Sequence, residues 1–539
     1  MMKTRLEPAN QRFNLQLLPP ELLVKYRYAK RLMMKTRLEP ANQRFNLQLL
    51  PPELLVKIAE LFTNDAEVTP AQVADILTVS KTFNDIFQGY LFHMPLQAGH
   101  LVNILKNRLD KTSLVWDVRM SFHLSHDTDL QPIQTSLDAF SQFCNVKTLT
   151  FSYSNMTHAR RLEHLTFFDG FRFLSNSLTD LDLSIVDPDI THVSRGPAIH
   201  HHVLMSISSL SLLKRLVIFL QTSVFDFHGF DLPPSLASLK LFLQPPLPQE
   251  TTEAVTTKCC SLTTLYLADR LFANVDDLST ILKVCSSNLI RLRLGISSYR
   301  GVPALPRLRK LLAQRWDHYR GTLEISEVFP NLHLSQNLHH VAFDGFTSTR
   351  KNMAISRLTV PYISFSDCPR SDDLLAQHFD PMSIQNMAFS LSSRYTYLYG
   401  LSQDQIEGRR RVPHTVQLVR SSLQSLSLNS FCVEENIRNT FALLCDLTSL
   451  RRLRIHSFTE WYLDELKACL NKTAIQELYI NYIWDERYLA KQIGEGVFDH
   501  LDEIRVPETC ARLVEQSKCA VRISTRVKEW VTWMDILED

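Results

Sequence analysis

Leu289-Ile290-Arg291-Leu292-Arg293-Leu294 spells apolar-x-x-apolar-x-apolar. Its end alternates polar and apolar, which puts Leu292 and Leu294 on one face of a short strand and Arg291 and Arg293 on the other. The same spelling returns upstream as Val146/Leu149/Phe151, Leu178/Leu181/Leu183, Leu213/Leu216/Ile218, Leu236/Leu239/Leu241 and Leu262/Leu265/Leu267. Downstream it reads Leu338/Val341/Phe343, Ile355/Leu358/Val360, Ile384/Met387/Phe389, Leu423/Leu426/Leu428, Leu450/Leu453/Ile455, Ile475/Leu478/Ile480 and Leu501/Ile504/Val506. In the better-spaced stretches the interval is about 23–27 residues. Helix-like segments such as Val275 to Cys285 and Trp461 to Leu470 follow some of the strands. One such unit cannot bury its apolar side alone, so the units must stack.

The residues beside each inward pair point out of the sheet. That row carries Asp180 and Asp182, Arg215, Lys240, Tyr266, Arg291 and Arg293, Arg452, Arg454 and His456, Glu477 and Tyr479, and Arg505. Guanidinium forks suit carboxylate or phosphate. Arg291, Arg293, Arg452, Arg454 and His456, with Tyr266 and Tyr479, are therefore the expected substrate-binding residues, facing an acidic or phosphorylated segment of a partner protein.

Four segments stand outside the rhythm. Residues 91–140 carry Leu101, Ile104, Leu105 and Leu109 at helical spacing and are expected to be a helical linker. Residues 297–331 contain Pro303 and Pro306 and then read as a helix through Leu311, Leu312 and Trp316. Residues 395–415, with Arg409-Arg410-Arg411, read as a long loop between repeats. Residues 508–539 end in Trp530-Val531-Thr532-Trp533-Met534-Asp535-Ile536-Leu537, expected to form a helix that caps the last repeat.

A second stretch has a different grammar: Leu50-Pro51-Pro52-Glu53-Leu54-Leu55-Val56-Lys57-Ile58, then Val79-Ser80-Lys81-Thr82-Phe83. Pro51 and Pro52 suit a first helical turn, and Glu53 suits the positive end of the helix dipole. Leu54, Leu55, Ile58, Leu61 and Phe62 fall on one face at helical spacing. Pro70 can open a second helix with Val73, Ile76 and Leu77 as its apolar stripe. Ser80 can cap a third that buries Phe83, Ile86 and Phe87. Three helices this short barely make a core and usually complete it against a partner.

Leu50-Pro51-x-Glu53-Leu54-Leu55-x-x-Ile58 followed by Val79-Ser80-Lys81-x-Phe83 resembles an F-box, in the style common in fungal proteins. The resemblance covers residues 48–90. Where the family usually carries Asp-Leu, this chain has Ala71-Gln72-Val73, and the segment between the motif's halves is long. The repeats resemble the divergent leucine-rich repeats of F-box proteins, without the usual Asn or Cys after the strand. The resemblance implies a substrate receptor of an SCF-type cullin–RING ubiquitin ligase. Leu50, Pro51, Leu54, Leu55, Ile58, Val79 and Phe83 would then bind a Skp-type adaptor, which a cullin scaffold joins, and the array would hold an unidentified substrate protein. The expected fold is α/β: a three-helix F-box-like module at 48–90, then an irregular leucine-rich-repeat solenoid, or horseshoe, over 141–507. The alternative is a leucine-rich-repeat interaction scaffold unconnected with ubiquitination.

Composition narrows the classes. The formal net charge of +2 is no footprint of bulk nucleic-acid binding, and no apolar run reaches the length of a membrane span. Neither nucleic acid nor membrane is expected as a partner. The amino-terminal residues lack a signal peptide's apolar core and the ten cysteines show no CxxC pairing, so a reduced cytoplasmic or nuclear protein is expected. With 13 glycines there is no phosphate-binding loop, and no GxSxG or HExxH motif occurs. His200-His201-His202 cannot all face one ion and has no cysteine or carboxylate at ligand spacing, so no metal site is expected. Cys259-Cys260 reads as core packing. The expectation is a non-catalytic adaptor without cofactor.

Residues 1–25 recur unchanged as 33–57. The first copy stops at Lys25, before the Ile and the later helices, and half a module cannot bury its apolar face. Residues 1–32 are therefore expected to be a disordered arm, 33–47 an extension before the module, and Met33 a natural alternative start. Deleting residues 1–32 should leave the melting temperature and adaptor capture unchanged, as thermal unfolding and co-purification would show.

Overall fold

The computed structural model describes residues 96–97, 104, 113–514 and 521–524, apart from 114, 125–134, 136–138, 141, 144, 156–173, 187–206, 222–230, 244–246, 248, 273, 316–321, 349–356, 391–411, 429–436, 459–461 and 484. The module at 48–90, both copies of the duplicated segment, His200–His202, Arg409–Arg411 and the Trp530–Leu537 tail lie outside the described residues. The chain divides into two compact units, Met1–Val224 and Phe225–Asp539.

In the first unit, strands β1 (Leu96–Gln97), β2 (Asp117–Leu124), β3 (Thr148–Asn155), β4 (Asp180–Val186) and β5 (Arg215–Gln221) pair in sequence order, all parallel. In the second, β6 (Ser238–Leu243), β7 (Thr264–Ala268), β8 (Arg291–Ile296) and β9 (Lys310–Arg315) continue the same way. A small side pair, β10 (Leu323–Glu324) with β12 (Phe346–Thr347), flanks β11 (His340–Asp344), which pairs with β9. Then follow β13 (Tyr362–Ser366), β14 (Asn386–Ser390), β15 (Ser425–Leu428), β16 (Arg452–Phe458), β17 (Glu477–Ile483), β18 (Glu503–Arg505) and β19 (Arg522–Ser524). Parallel neighbours need a crossover. Helices Val275–Cys285, Ser371–His378, Leu463–Leu470 and Glu486–Gly494 supply several of these. Asn274 caps the first by accepting from the Asp276 N–H, and Leu278, Ile281, Leu282 and Cys285 turn into the core.

Every apolar triad named from the sequence is buried at all its described positions; Ile355, in the triad with Leu358 and Val360, lies outside the described residues. Successive triads stack because strand register aligns them: Leu265 with Leu292 and Leu311, and Leu453 with Leu478 and Ile504. A backbone ladder runs beside them. The Thr263 carbonyl accepts from the N–H groups of Ile290 (2.8 Å) and Arg291 (3.0 Å), the Ile290 carbonyl from Arg309 and Lys310, and the Arg309 carbonyl from His339 and His340. Side chains just ahead of the triads tie each repeat to the one before. Ser261 donates to the Leu236 carbonyl, Asn288 to Cys260, Asn337 to Pro306 and Ser449 to Ser421.

Three expectations are corrected, and the carboxy-terminal segment gains a strand. The segment 91–140 is not simply a helical linker: it contributes β1 and β2, and Val115, Val118 and Met120 fill the buried triad positions. Residues around Leu311 and Leu312 form strand β9 instead of a helix, with Leu308, Leu311 and Ala313 as the buried triad. The repeat assigned to Ile355/Leu358/Val360 is carried by Val360/Ile363/Phe365, because β13 begins at Tyr362 and Leu358 only bridges to Phe379. Within the segment read as a cap, β19 adds a further parallel strand.

Between β11 and β12 the chain turns at Gly345, whose φ is +72°. A Cβ there would lie 2.9 Å from the Arg315 Cβ. Left-handed backbone strains any residue with a Cβ, and here the neighbour is the base of a side chain with little room to shift. Gly345→Ala should destabilise the protein by about 2–3 kcal/mol, read as a lower urea midpoint at unchanged m-value.

Candidate functional site

Strand alternation sets two rows of side chains on the face opposite the triads, the second of them largely buried. In the second unit the first row runs, in register, Thr264, Arg291, Lys310, His340, Tyr362, Asn386, Ser425, Arg452, Glu477, Glu503 and Arg522. Two residues further along each strand lies the second row, which includes Lys240, Tyr266, Arg293, Leu312, Ala342, Ser364, Arg454, Tyr479 and Arg505.

The expected arginine cluster separates into two places. Between β8, which bears Arg291 and Arg293, and β16, which bears Arg452 and Arg454, stand β9, β11, β13, β14 and β15. At a strand spacing near 4.8 Å the two lie roughly 25–30 Å apart, too far for one anionic group to reach both. Near β16 the cations have partners. Arg452 Nε sits 3.2 Å from Glu477 Oε1. Arg505 donates to Glu503 (2.8 Å) and to the Tyr479 hydroxyl (3.0 Å), while Arg522 approaches Glu503 from the other side at 3.6 Å. Arg454 and Arg505 both lie over the Tyr479 ring, at 5.6 and 4.9 Å, and Arg454 and Tyr479 are buried. The His456 side chain lies outside the described residues; only its place on β16 is defined.

Around β8 the arrangement differs. Arg293 lies 4.2 Å over the Tyr266 ring and donates to Gln314 at 3.2 Å, and Tyr266 packs against Phe242. Arg293 and Tyr266 therefore hold one another in place, which cation–π contact favours. Arg291 continues in the first row into Lys310, His340 and Tyr362. Sequence reading missed these three. Lys310 fell in the presumed helix, whereas His340 could have been found between Leu338 and Val341. The His340 ring stacks on Tyr362, with centroids 4.3 Å apart and planes 14° from parallel. His339 Nδ1 lies 3.0 Å from His340 Nδ1, so one of the pair carries the shared hydrogen. Partial burial, then the charges of Lys310 and Arg309, hold His339 below the ordinary histidine range. Among the described residues no carboxylate stands in either row from β7 to β15.

The first unit has the opposite character. Its first row runs Asp117, Thr148, Asp180 and Arg215, and Asp182 stands two residues on from Asp180. Burial, with a smaller push from Asp180 and an opposing pull from Arg119, raises the Asp117 carboxyl to about 6. At the far ends of β9, β11 and β13, Arg315, Asp344 and Asp367 gather. Burial and Asp367 drive Asp344 well above the carboxylate range, against the pull of Arg315. Cys259 is buried and donates to the Thr256 carbonyl, as core packing requires, while Cys260 is exposed. Among the described residues no cluster of three or more His, Cys, Asp or Glu is placed to hold a metal, and no helix is long and apolar enough to cross a membrane.

The architecture is that of stacked repeats of leucine-rich-repeat type. No family model matches the chain, and no curated protein matches it. Among solved structures it is similar to an internalin from Listeria monocytogenes, at 9% identity over 80% of this chain and 95% of that one, with a TM-score of 0.25. It is also similar to a structure of the Rad7 and Elc1 complex in yeast, at 11% identity over 87% of this chain and 95% of that one, with a TM-score of 0.27. At those scores neither likeness bears on function.

The raised carboxyl has a consequence for stability. Asp117 favours the folded state most below its unfolded value of 3.8, and that contribution is lost as pH rises through about 6. Asp117→Asn should therefore stabilise the protein at pH 7.5, by about 1–2 kcal/mol after allowing for its partial exposure, and change little at pH 4. Thermal unfolding of both proteins at the two pH values checks this.

Proposed function

We propose that the chain is a non-catalytic adaptor, the substrate-recognition subunit of an SCF-type cullin–RING ubiquitin ligase. Its F-box-like stretch, through Leu50, Pro51, Leu54, Leu55, Ile58, Val79 and Phe83, would dock on a Skp-type adaptor. Its repeat array would hold the target protein. The observation that carries the second half is the array itself. Strand after strand buries its apolar triad on one side and sets a row of charged and aromatic side chains on the other. Such an ordered surface suits recognition of another protein. The first half rests on the sequence of residues 48–90. The chain would make and break no bonds; tethering raises the effective concentration of the target beside the transfer enzymes.

Co-expression of the chain with a Skp-type adaptor tests the reading. A stoichiometric complex is expected, and Leu50→Ala/Pro51→Ala/Ile58→Ala should abolish it while leaving the melting temperature of the repeats unchanged. A well-folded chain that captures no adaptor would remove the ligase reading and leave an interaction scaffold.

A further inference from the structure

We infer that Cys259 and Cys285, buried side by side where two repeats meet, are a thiol pair that hydrogen peroxide joins into a reversible disulfide. The bond staples the repeat of β7 to that of β8. The inference goes beyond the adaptor reading and depends on neither the F-box-like stretch nor the outward rows.

Three observations carry it. The first is convergence. Cys259 opens the short turn Cys259–Ser261 ahead of β7, and Cys285 ends the helix Val275–Cys285 ahead of β8. Both sulfurs meet one backbone oxygen: the Ile281 carbonyl accepts from Cys285 Sγ at 3.0 Å and from Cys259 Sγ at 3.7 Å. Two atoms sharing an acceptor at those distances stand within reach of each other. The second is that each thiol acts on the other. A hydrogen bond from Cys285, opposed by burial, lowers Cys259 below the usual thiol range, and the Cys259 thiol, then burial, drives Cys285 above it. The thiolate is the nucleophile, so the pair holds an attacking sulfur beside a proton donor. The third is recurrence. Cys445 follows helix Ile437–Leu444, and Cys469 lies in the next helix, Leu463–Leu470, one repeat on. Burial, then Cys445, pushes the Cys469 thiol up. Cys368 and Cys510 are buried too, and their thiols donate to the backbone carbonyls of Phe343, Ser366 and Glu486. A thiol of that kind fills space as a small apolar residue does.

The reaction balances with peroxide as the oxidant. The Cys259 sulfur attacks one peroxide oxygen, the O–O bond breaks, and the departing hydroxide takes a proton and leaves as water. Cys259 is then a sulfenic acid. The Cys285 sulfur attacks it, the S–S bond forms as the S–O bond breaks, and the hydroxide leaves as a second water with the Cys285 proton. The two thiols give up two electrons and two protons, which the peroxide accepts. Peroxide is close to water in size and needs only a brief local opening to reach the pair. The Ile281 carbonyl loses two S–H donors, which are weak ones. In return, the chain between the two cysteines, which includes β7, becomes a closed loop with less freedom when unfolded.

Peptide mapping of the full chain provides the test, in a Cys260→Ser/Cys445→Ser background that removes the exposed neighbour and the second pair. The reduced protein is treated with hydrogen peroxide under native conditions, remaining thiols are alkylated, and the chain is cut with trypsin. Cleavage after Lys258, Arg270, Lys283 and Arg291 places Cys259 and Cys285 on separate peptides. Mass spectrometry should find residues 259–270 joined to 284–291, and dithiothreitol should release them. The oxidised protein should melt about 2–5 °C above the reduced one. Cys285→Ala should abolish that gain and leave Cys259 as a sulfenic acid that dimedone traps. The inference is overturned if both peptides are recovered alkylated, if either cysteine pairs elsewhere, or if the cross-link forms only in urea. It also falls if the cross-link forms without raising the melting temperature. The mapping changes neither cysteine, so it decides the matter even where Cys285→Ala folds poorly.

Discussion

The rest of the structure depends on one carbonyl per repeat. Thr263, Ile290, Arg309, Gln385, Gln424, Arg451 and Gln476 each turn their C=O towards the next repeat and accept two N–H groups from it. This fixes the height of each strand against its neighbour. The apolar triads then meet in register, and every outward side chain falls into a row. One repeat shows what sets the limit. Pro361 has no N–H to give, so the His339 carbonyl receives only the Tyr362 N–H, at 3.2 Å. The strand still pairs along its whole length, because Ile363 and Phe365 bury beside Val341 and Phe343. Apolar burial and the ladder thus support each other, and neither needs to be perfect at every rung.

That division of labour frees the other face. Stacking consumes alternate residues of each strand, and among the intervening ones the first row, such as Arg291, Lys310 and His340, stays part-exposed. Near β16–β18 they are spent on each other: Arg454, Tyr479, Arg505 and Glu503 form a stacked and hydrogen-bonded cluster with much of its surface removed from solvent. Charges satisfied in this way contribute order more than affinity. Around β8–β13 aromatic contacts hold the side chains instead, Tyr266 under Arg293 and Tyr362 against His340.

The repeat was readable at nearly every place where three large apolar residues filled the triad, as at Leu289/Leu292/Leu294. It was missed where a small or flexible residue took the last place. Ala313 and Met120 occupy that position as fully as a leucine does, yet neither marks a strand by itself. At 355–365 two frames overlap on Val360, and only the strand beginning at Tyr362 decides between them. Pro303 and Pro306 suggested an interruption, but they lie in the crossover before β9 and leave the strand intact. The inter-repeat ties were also legible in principle. The polar residue sits one place before the triad, at Ser261, Asn288, Asn337 and Ser449, where attention to the position after the strand does not look.

The candidate site was only partly legible for a related reason. Composition along one strand identifies Arg291 and Arg293 as outward residues, but a surface is made across strands, and its members come from segments about 20–30 residues apart. Arg291 stands beside Lys310 and, one strand further, His340, an alignment that follows from register alone. Arg452 loses meaning as an anion ligand for the same reason, because register sets Glu477 beside it. Two arginines equally plausible in the sequence are thus separated by their neighbours' identities, one repeat away. In a stacked protein the unit of recognition is the row, and a residue's role is fixed by what the adjacent repeats place next to it.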